Sequence, residues 1–172
     1  IEPAATLRIV MVLPRLDLGG MERTVLAQAR ALRTAGHAVD LVVLAPGGAL
    51  VPMADAWGIP VHAPPAPLRL AEAQAFIAAK ATQLDATHVH SHTGTWLAAA
   101  RGARTARRLH LHTRHGFLEQ RSWRNTVGEW LAARRTARVV CVSAELLADT
   151  QRRLHVPPTR CVLLPNGVEC EA

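Results

Sequence analysis

Histidine is the residue type of this chain best suited to chemistry near neutral pH, and several histidines occur at regular spacing. His88, His90 and His92 alternate along one segment, and His110 and His112 alternate along a later one. Residues two apart in a β-strand point to one face, and adjacent strands can arrange imidazoles around zinc. We find no aspartate or glutamate placed in sequence to complete such a ligand set. We therefore expect packed, hydrogen-bonded histidines and no metal, with a metal-dependent hydrolase as the alternative.

Two histidines differ from the others because each closes a predicted strand. His92 ends the segment from Thr87 to His92, and His115 follows the strand predicted from Leu109 to Thr113, two residues after its end. A histidine at such an end can hydrogen-bond a ligand or exchange a proton with it. It can equally close a loop by a hydrogen bond, and both interpretations stay open at this point.

A glycine pair, Gly19 and Gly20, lies between an apolar strand, Leu7 to Leu13, and a predicted helix, Met21 to Ala35. The start of a helix offers free backbone N–H groups and the positive end of the helix dipole, which together attract phosphate. Glycine lets a ligand approach because it has no Cβ. The alternative is a tight turn without a ligand. The dinucleotide fingerprint and the Walker pattern are both absent, which disfavours nicotinamide enzymes and nucleoside triphosphatases.

Strands and helices are predicted to alternate along the whole chain, and such alternation is typical of an α/β fold with a parallel sheet covered by helices on both faces. Ligands of such sheets bind outside the carboxyl ends of the strands. The residues predicted at those ends are Gly19, Gly20, His92, Thr93, Gly94, Arg114, His115, Gly116 and Ser143.

The totals favour one globular domain that meets acidic partners. The chain has 172 residues, of which 49% are hydrophobic, and 20 Lys plus Arg against 13 acidic residues give a formal net charge of +7. Such a charge favours phosphates, anionic lipid or nucleic acid. Three cysteines without a C-x-x-C spacing indicate a reducing compartment. With no signal-peptide pattern and no apolar run near the roughly 18 residues that span a bilayer, we expect a cytoplasmic protein.

The segment from Glu119 to Arg135 combines an apolar stripe with basic flanks. The stripe is formed by Trp123, Val127, Trp130 and Leu131, and the flanks by Arg121, Arg124, Arg134 and Arg135. Helices that lie in a membrane interface pair these features, whereas an ordinary surface helix packed on the sheet is the alternative. No recognised nucleic-acid-binding module is present, so we expect no nucleic-acid partner.

Five motifs occur in one order along the chain. R-L-D-L-G-G-M-E-R follows the first strand, V-H-S-H-T-G the fourth, H-T-R-H-G the fifth, V-V-C-V-S-A-E-L-L lies at the sixth, and V-L-L-P-N-G-V-E stands near the end. Together they resemble the N-terminal domain of retaining glycosyltransferases of family 4, which have the GT-B fold. The resemblance covers nearly the whole chain, and its most specific part is V-S followed by P-N-G-V-E.

The resemblance implies one half of a two-domain enzyme. In that family two Rossmann-like domains enclose the active site, the N-terminal one mainly holding the acceptor and the C-terminal one the nucleotide-sugar donor. Residues 1–172 are then expected to form a single Rossmann-like acceptor-side domain, with the donor-binding domain absent from this chain. Such a chain should fold alone and transfer no sugar. The alternative is a stand-alone Rossmann-like module that binds a phosphorylated ligand without catalysis.

The resemblance also implies roles for particular residues. Gly19 and Gly20 would face the donor diphosphate, and His115 would be catalytic, beside the reacting sugar. The acceptor side would include His92, Thr93, Arg114 and Gly116, and the turn to the hinge would include Asn166 and Gly167. Neither a metal nor another cofactor is implied, because the donor is already activated. The acceptor would be a glycan or a lipid-linked molecule, which fits polysaccharide biosynthesis by a peripheral protein at the inner, anionic membrane face.

Overall fold

The alternating pattern of the sequence becomes seven strands and six helices in the computed structural model, which describes residues 5–117 and 122–167. The strands are β1 (Arg8–Leu13), β2 (Ala38–Val43), β3 (Val61–His62), β4 (His88–His92), β5 (Leu109–Arg114), β6 (Arg138–Cys141) and β7 (Cys161–Leu163). The helices are α1 (Gly20–Thr34), α2 (Val51–Ala56), α3 (Leu70–Gln83), α4 (Trp96–Thr105), α5 (Trp123–Ala133) and α6 (Ala144–Arg153). A 3₁₀ turn over Pro158–Arg160, which the sequence did not predict, precedes β7.

All strands are parallel, and their order in the single sheet is β3-β2-β1-β4-β5-β6-β7. The first three strands therefore run from β1 in the middle of the sheet to β3 at one edge. β4 then pairs with the other side of β1, and β5 to β7 follow in order to the other edge. A doubly wound sheet opens its ligand crevice where the strand order reverses, outside the carboxyl ends of the strands. In this molecule that place lies between β1 and β4, so the loop after β1 and the loop after β4 face each other.

The two faces of the sheet carry separate apolar layers because strand residues alternate between them. Met11 and Leu13 of β1 pack with the buried face of α1 and with residues around α2. Val10 and Val12 of the same strand pack with alanines of α3 and α4 on the other face. Helices thus cover both faces, which confirms the predicted Rossmann-like fold class.

Helices α3 and α4 approach each other closely, and a glycine makes this possible. A Cβ at Gly102 would lie 2.9 Å from the carbonyl oxygen of Gln74 and 3.0 Å from side-chain atoms of Ile77. Small residues on the same side of α4, Ala99 and Ala103, are fully buried. The close crossing fixes which exposed side chains of the two helices become neighbours.

The sequence led us to expect no membrane-spanning segment and no disulfide framework. Within residues 5–117 and 122–167, no helix combines the length and the apolar character that crossing a bilayer requires. Cys141 and Cys161 are free thiols, while Cys170 falls outside the described residues.

Candidate active site

The glycine pair after β1 forms the start of α1. Gly19 is the N-cap residue with extended backbone angles (φ −121°, ψ 161°), and Gly20 is the first helical residue. Neither has a positive φ, so the backbone does not need glycine in order to turn here. A Cβ at Gly20 would meet nothing within 4 Å. The space beside Gly20 is therefore open, while the N–H of Gly19 donates to the carbonyl oxygen of Asp17 at 3.0 Å in a tight turn. The ligand-facing and the tight-turn interpretations of the pair both stay predictions.

A carboxylate of the chain itself already lies at this helix start. The side chain of Glu22 folds back toward Gly19 so closely that a Cβ there would collide with its carboxylate. A negative group in the first turn is stabilised by the helix dipole. A ligand that approached Gly19 would therefore have to displace the carboxylate of Glu22.

Three histidine rings form a row that ends at the carboxyl edge of the sheet. The ring centroids of His90 and His92 are 4.5 Å apart, and those of His92 and His115 are 5.2 Å apart. His92 Nδ1 and His115 Nε2 share a hydrogen bond of 3.0 Å, and His90 Nε2 and Thr113 Oγ1 share one of 2.8 Å. The backbone N–H of His115 donates to Thr93 Oγ1 at 2.9 Å. His92, at the end of β4, and Thr93, directly after it, therefore fix the position of His115.

These three rings are neutral at pH 7. Burial lowers the pKa of His115 to about 4. Burial, reinforced by His115 and His88, lowers the pKa of His90 to about 4. His92 is fully buried, and burial together with His90 and His115 holds its pKa well below the usual value. The row can therefore donate and accept hydrogen bonds but carries no charge toward a substrate.

The ring of His115 faces inward. Its Nε2 bonds His92, while its Nδ1 and Nε2 of His92 are buried without a hydrogen-bond partner among the described residues. A sugar hydroxyl could reach a ring nitrogen of His115 only after the ring turns away from His92. The structure shows the loop-closing contact of His115, and its catalytic role stays a prediction.

The histidines of β5 belong to the opposite face of the sheet. Ser91 Oγ lies 2.8 Å from both His110 Nε2 and His112 Nδ1, and His110 Nδ1 lies 3.0 Å from Thr136 Oγ1. The indole of Trp96 stacks on His112 with centroids 4.0 Å apart and donates to Thr136 Oγ1 at 2.9 Å. These side chains form a closed, buried polar network, which is the packed role predicted for them.

The strand register decides how the two groups of histidines relate. His112 lies opposite Ser91, whereas His92 lies opposite Thr113, so the imidazoles of β4 and β5 leave the sheet on different faces. Across residues 5–117 and 122–167 no three His, Cys, Asp or Glu side chains are grouped so as to hold a metal. The arrangement gives no support to zinc shared by the two strands, and the metal-free expectation itself stays a prediction.

Arg114 differs most from what the sequence suggested. Its side chain is 2% exposed, and NH1 donates to Asp149 at 2.9 Å and to Thr150 at 2.7 Å. NH2 lies 3.6 Å from Glu129. Burial opposes ionisation of Asp149, but hydrogen bonds from Arg153 and Arg114 outweigh it and lower the pKa of that carboxyl. The guanidinium thus ties α5 to α6, and the acceptor-side role of Arg114 stays a prediction.

Replacing Arg114 by Met should lower the free energy of unfolding by about 3 kcal/mol, because the mostly buried Glu129 and Asp149 lose one of the two arginines that they share, Arg153 being the other. Urea unfolding of the chain at pH 7 measures the loss. Replacing Arg152, an exposed arginine of α6, by Met is the control and should change stability by less than about 0.5 kcal/mol. Equal stability of the Arg114 variant and the parent would contradict the structural role.

A cavity of about 310 Å³ brings three predicted acceptor-side residues together. Thr93, Arg114 and Gly116 line it from the carboxyl edge of the sheet, and Trp96, Leu97 and Arg124 are among the residues that line it from α4 and α5. His92 and His115 are not in its wall, since they face the α1 side. The predicted acceptor residues therefore divide into a histidine row and a mainly apolar cavity.

The predicted hinge turn lies on the α1 side. Asn166 lines a second cavity of about 390 Å³ with Met11, His90 and Leu164, among others. Gly167 is exposed and is the last residue described before the end of the chain. The hinge assignment stays a prediction.

Several residues of the site were missed by sequence reasoning. Thr113 bonds the ring of His90, Thr136 joins Trp96 to His110, and Glu129 with Asp149 neutralises Arg114. Only strand alternation offered a signal, and it pointed to Thr113 as a neighbour of the histidine face. The other partners come from distant segments and carry no local pattern.

Known structures share the fold. A glycosyltransferase from Rickettsia africae superimposes with a TM-score of 0.79 at 20% identity, covering 96% of this chain and 44% of the other. Anabaena HepE in complex with UDP-glucose gives 0.74 at 18% identity, with 95% and 44% covered. The UDP-GlcNAc 2-epimerase from Methanocaldococcus jannaschii gives 0.61 at 14% identity, with 94% and 46% covered. At these identities the likeness concerns the fold alone.

The chain spans less than half the length of these matched structures. No curated protein sequence matches it. The profile described as Glycosyltransferase Family 4, however, matches residues 18–172, a span that begins just before the glycine pair and includes the histidine row. On this match, together with the seven-stranded parallel sheet, the chain belongs to glycosyltransferase family 4 and represents the N-terminal domain of such an enzyme.

Proposed function

We propose that this chain is the acceptor-binding half of a retaining glycosyltransferase, which moves a sugar from a nucleotide-sugar donor to a glycan or a lipid-linked acceptor. The donor would be held by a second domain outside residues 1–172. The observation that carries the proposal is the open helix start at Gly20, where neither backbone conformation nor packing requires glycine. The complex of the structurally similar Anabaena protein with UDP-glucose supports a nucleotide sugar as the donor.

The chemistry explains why an open helix start is useful. Transfer breaks a bond between a sugar and a diphosphate through an oxocarbenium-like state, and the leaving diphosphate gains negative charge. Backbone N–H groups fixed at the start of α1 would stabilise that charge where it develops. The acidic residue already present in the first turn of α1, Glu22, supports this role, since a helix start stabilises negative charge. The reaction needs no metal for this step, in line with the metal-free expectation.

The histidine row would act on the other side of the reacting bond. His115, neutral because burial lowers its pKa to about 4, would turn from His92 and hydrogen-bond the sugar or the acceptor hydroxyl. His92 would position it, and Thr93 would hold its backbone. A neutral imidazole suits this task because it both accepts and donates a hydrogen bond.

The cavity beside α4 and α5 would receive part of the acceptor. Its wall combines apolar Trp96 and Leu97 with the charged Arg124 and Glu129 of α5 and with Thr93 at the sheet edge. Such a lining suits an acceptor that carries an apolar part next to a polar or anionic group. A lipid-linked acceptor has this composition.

Association with the inner, anionic membrane face is the partner and location we propose for α5. Trp123 is 73% exposed and Val127 45% exposed, and the guanidinium of Arg124 stands 5.5 Å from the ring of Trp123. Trp130 is only half-buried, with Arg134 stacked on it at 4.3 Å. Arg121, the other predicted flank, lies outside the described residues. Exposed tryptophan beside arginine is typical of helices at a membrane interface.

A second candidate function is a module that binds a phosphorylated ligand without transferring it. The same open helix start supports it, because an anion site by itself does not make a reaction. An assay of sugar transfer by a protein that joins this chain to a donor-binding domain distinguishes the binding module from the glycosyltransferase half. We expect transfer by the joined protein and none by residues 1–172 alone.

Replacing Gly20 by Val tests the proposal in that joined protein. A branched side chain would occupy the space where the diphosphate approaches, so we expect kcat/KM for the nucleotide sugar to fall by about 100-fold. Folding should be unaffected because a Cβ at this position meets nothing within 4 Å. Steady-state kinetics with varied donor and a thermal melt of the same samples measure both effects.

Ala71→Val is the matched control, since Ala71 is an exposed residue in the first turn of α3. It should leave both kcat/KM and the melting temperature close to those of the parent. Normal donor kinetics of Gly20→Val would overturn the diphosphate-facing role of the glycine pair.

A further inference from the structure

Three arginines converge on a depression at the outer side of the helices α3, α4 and α5. Arg101 and Arg104 come from α4, and Arg135 follows α5. Together with Gln74 and Thr105 they line a volume of about 390 Å³. We call this feature the arginine basin.

Helix packing creates the basin. Arg101 and Arg104 lie three residues apart and share one side of α4. Gly102, between them in sequence, allows α4 to approach Gln74 of α3. On the other side α4 meets α5 where a Cβ at Gly128 would lie 3.6 Å from Leu97. The three helices are thus held close enough for side chains of all three to reach one volume.

No carboxylate of residues 5–117 or 122–167 neutralises the basin. Its lining contains no aspartate or glutamate within the described parts of the chain. NH1 of Arg135 donates to the carbonyl of Leu131 at 3.1 Å, a contact without countercharge. Arg104, in the last turn of α4, complements the dipole of that helix, but Arg101, one turn earlier, has no such reason to be there. Like charges at this spacing repel each other, so the cluster costs stability until an anion binds.

Other neighbouring arginines of the chain form ion pairs with a shared carboxylate. Arg8 and Arg108 both pair with Asp85, and Arg114 and Arg153 both pair with Asp149. Where the fold brings those guanidinium groups together, it supplies a carboxylate. The arginine basin lacks one, and this contrast points to a ligand that supplies the charge.

We propose that Arg101, Arg104 and Arg135 bind a phosphate group carried by a larger molecule. Guanidinium groups match the oxygens of phosphate with paired N–H donors, and the amide of Gln74 adds a further donor at the wall. The basin is distinct from the donor position: α4 runs antiparallel to the strands, so its last turn lies toward the edge of the sheet opposite Gly20. The inference goes beyond sugar transfer and does not depend on it.

Two probes distinguish the sources of such a phosphate. The first is a vesicle of phosphatidylglycerol in phosphatidylcholine, with pure phosphatidylcholine for comparison, and the second is free glycerol phosphate in a calorimetric titration. The test variant carries Arg101→Gln and Arg104→Gln. Each arginine near an anionic surface contributes about fivefold in binding, so the pair should cost about 25-fold in vesicle affinity.

The control variant carries Arg138→Gln and Arg152→Gln, which removes the same net charge from exposed residues of other elements. All variants should melt within about 2 °C of the parent, because the replaced side chains lie on the surface. We expect the control to lose less than about threefold in vesicle affinity.

Each outcome decides the proposal. Vesicle binding that depends on Arg101 and Arg104 supports it with a lipid as the source, and glycerol phosphate binding with the same dependence supports it with a soluble ligand. If the test and control variants lost the same vesicle affinity, net charge alone would explain the binding and the proposed site would be overturned. Absence of binding to either probe would also overturn it. A short RNA that binds more tightly than both probes through these arginines would also overturn it, since the partner would belong to another class.

Discussion

Between pH 7 and pH 5, the free energy of unfolding of this chain is expected to fall by several kcal/mol through the histidines of its sheet. Four of them lie between the helix layers: His92, His110 and His112 are buried, and His90 is half-buried. Burial is the main cause that lowers each pKa: to about 4 for His90, to about 3 for His110, and well below the usual value for His92 and His112.

The direction follows from which state binds the proton. Above the unfolded pKa of about 6.5 both states are neutral, and the histidines do not make stability depend on pH. Below it the unfolded chain takes up protons that the folded chain refuses, so stability falls by about 1.4 kcal/mol per pH unit for each histidine. The fall continues down to the folded pKa values. At pH 5 His90 and His110 each account for about 2 kcal/mol, and His92 and His112 lower stability in the same direction. Domains of this kind have only about 5 to 15 kcal/mol in total.

Urea unfolding at several pH values measures the effect, and we expect cooperative unfolding without denaturant near pH 5. The variant His90→Gln should show a slope smaller by about 1.4 kcal/mol per pH unit. His155→Asn serves as the control, because His155 is exposed and its positive φ suits asparagine. It should leave the slope unchanged. Full stability of the parent chain at pH 5 would contradict the neutral, buried state of the four rings.

Replacing His115 by Ala should lower kcat by about 100-fold or more in a protein that joins this chain to a donor-binding domain. The expected cause is the loss of a hydrogen bond or a proton position beside the reacting sugar. The melting temperature should change little, because His115 is only partly buried at the rim of the sheet and its backbone remains bonded to Thr93. Steady-state kinetics and thermal melts of the same preparation measure both quantities.

The loop-closing interpretation predicts the opposite pattern for His115→Ala. If the bond of 3.0 Å to His92 were the whole role of the ring, its loss would lower the melting temperature and leave turnover near normal. His92→Ala provides a useful comparison, since His92 is fully buried and its removal should lower stability and turnover together. A full-rate His115→Ala enzyme would overturn the catalytic assignment and leave the fold untouched.

The sequence determined the elements of this protein and the loops that matter. Apolar runs of five or six residues separated by amphipathic segments define strands and helices locally, because side-chain periodicity reports which residues must be buried. The rule that ligands bind at carboxyl strand ends then selected Gly19, Gly20, His92 and His115. Each of these does lie at that edge, although their chemical roles stay predictions.

Only the tertiary structure decided what the selected residues touch. Alternation along β4 and β5 was readable, but the pairing of Ser91 with His112 set the two groups of histidines on opposite faces. The partners of Arg114 stand 15 and 35 residues further along the chain, at Glu129 and Asp149. Register and helix packing are collective results of burying both sheet faces at once. A local pattern determines which side of a helix or strand is apolar, but it does not determine which neighbouring element that side packs against. The candidate site and the arginine basin both depend on this packing.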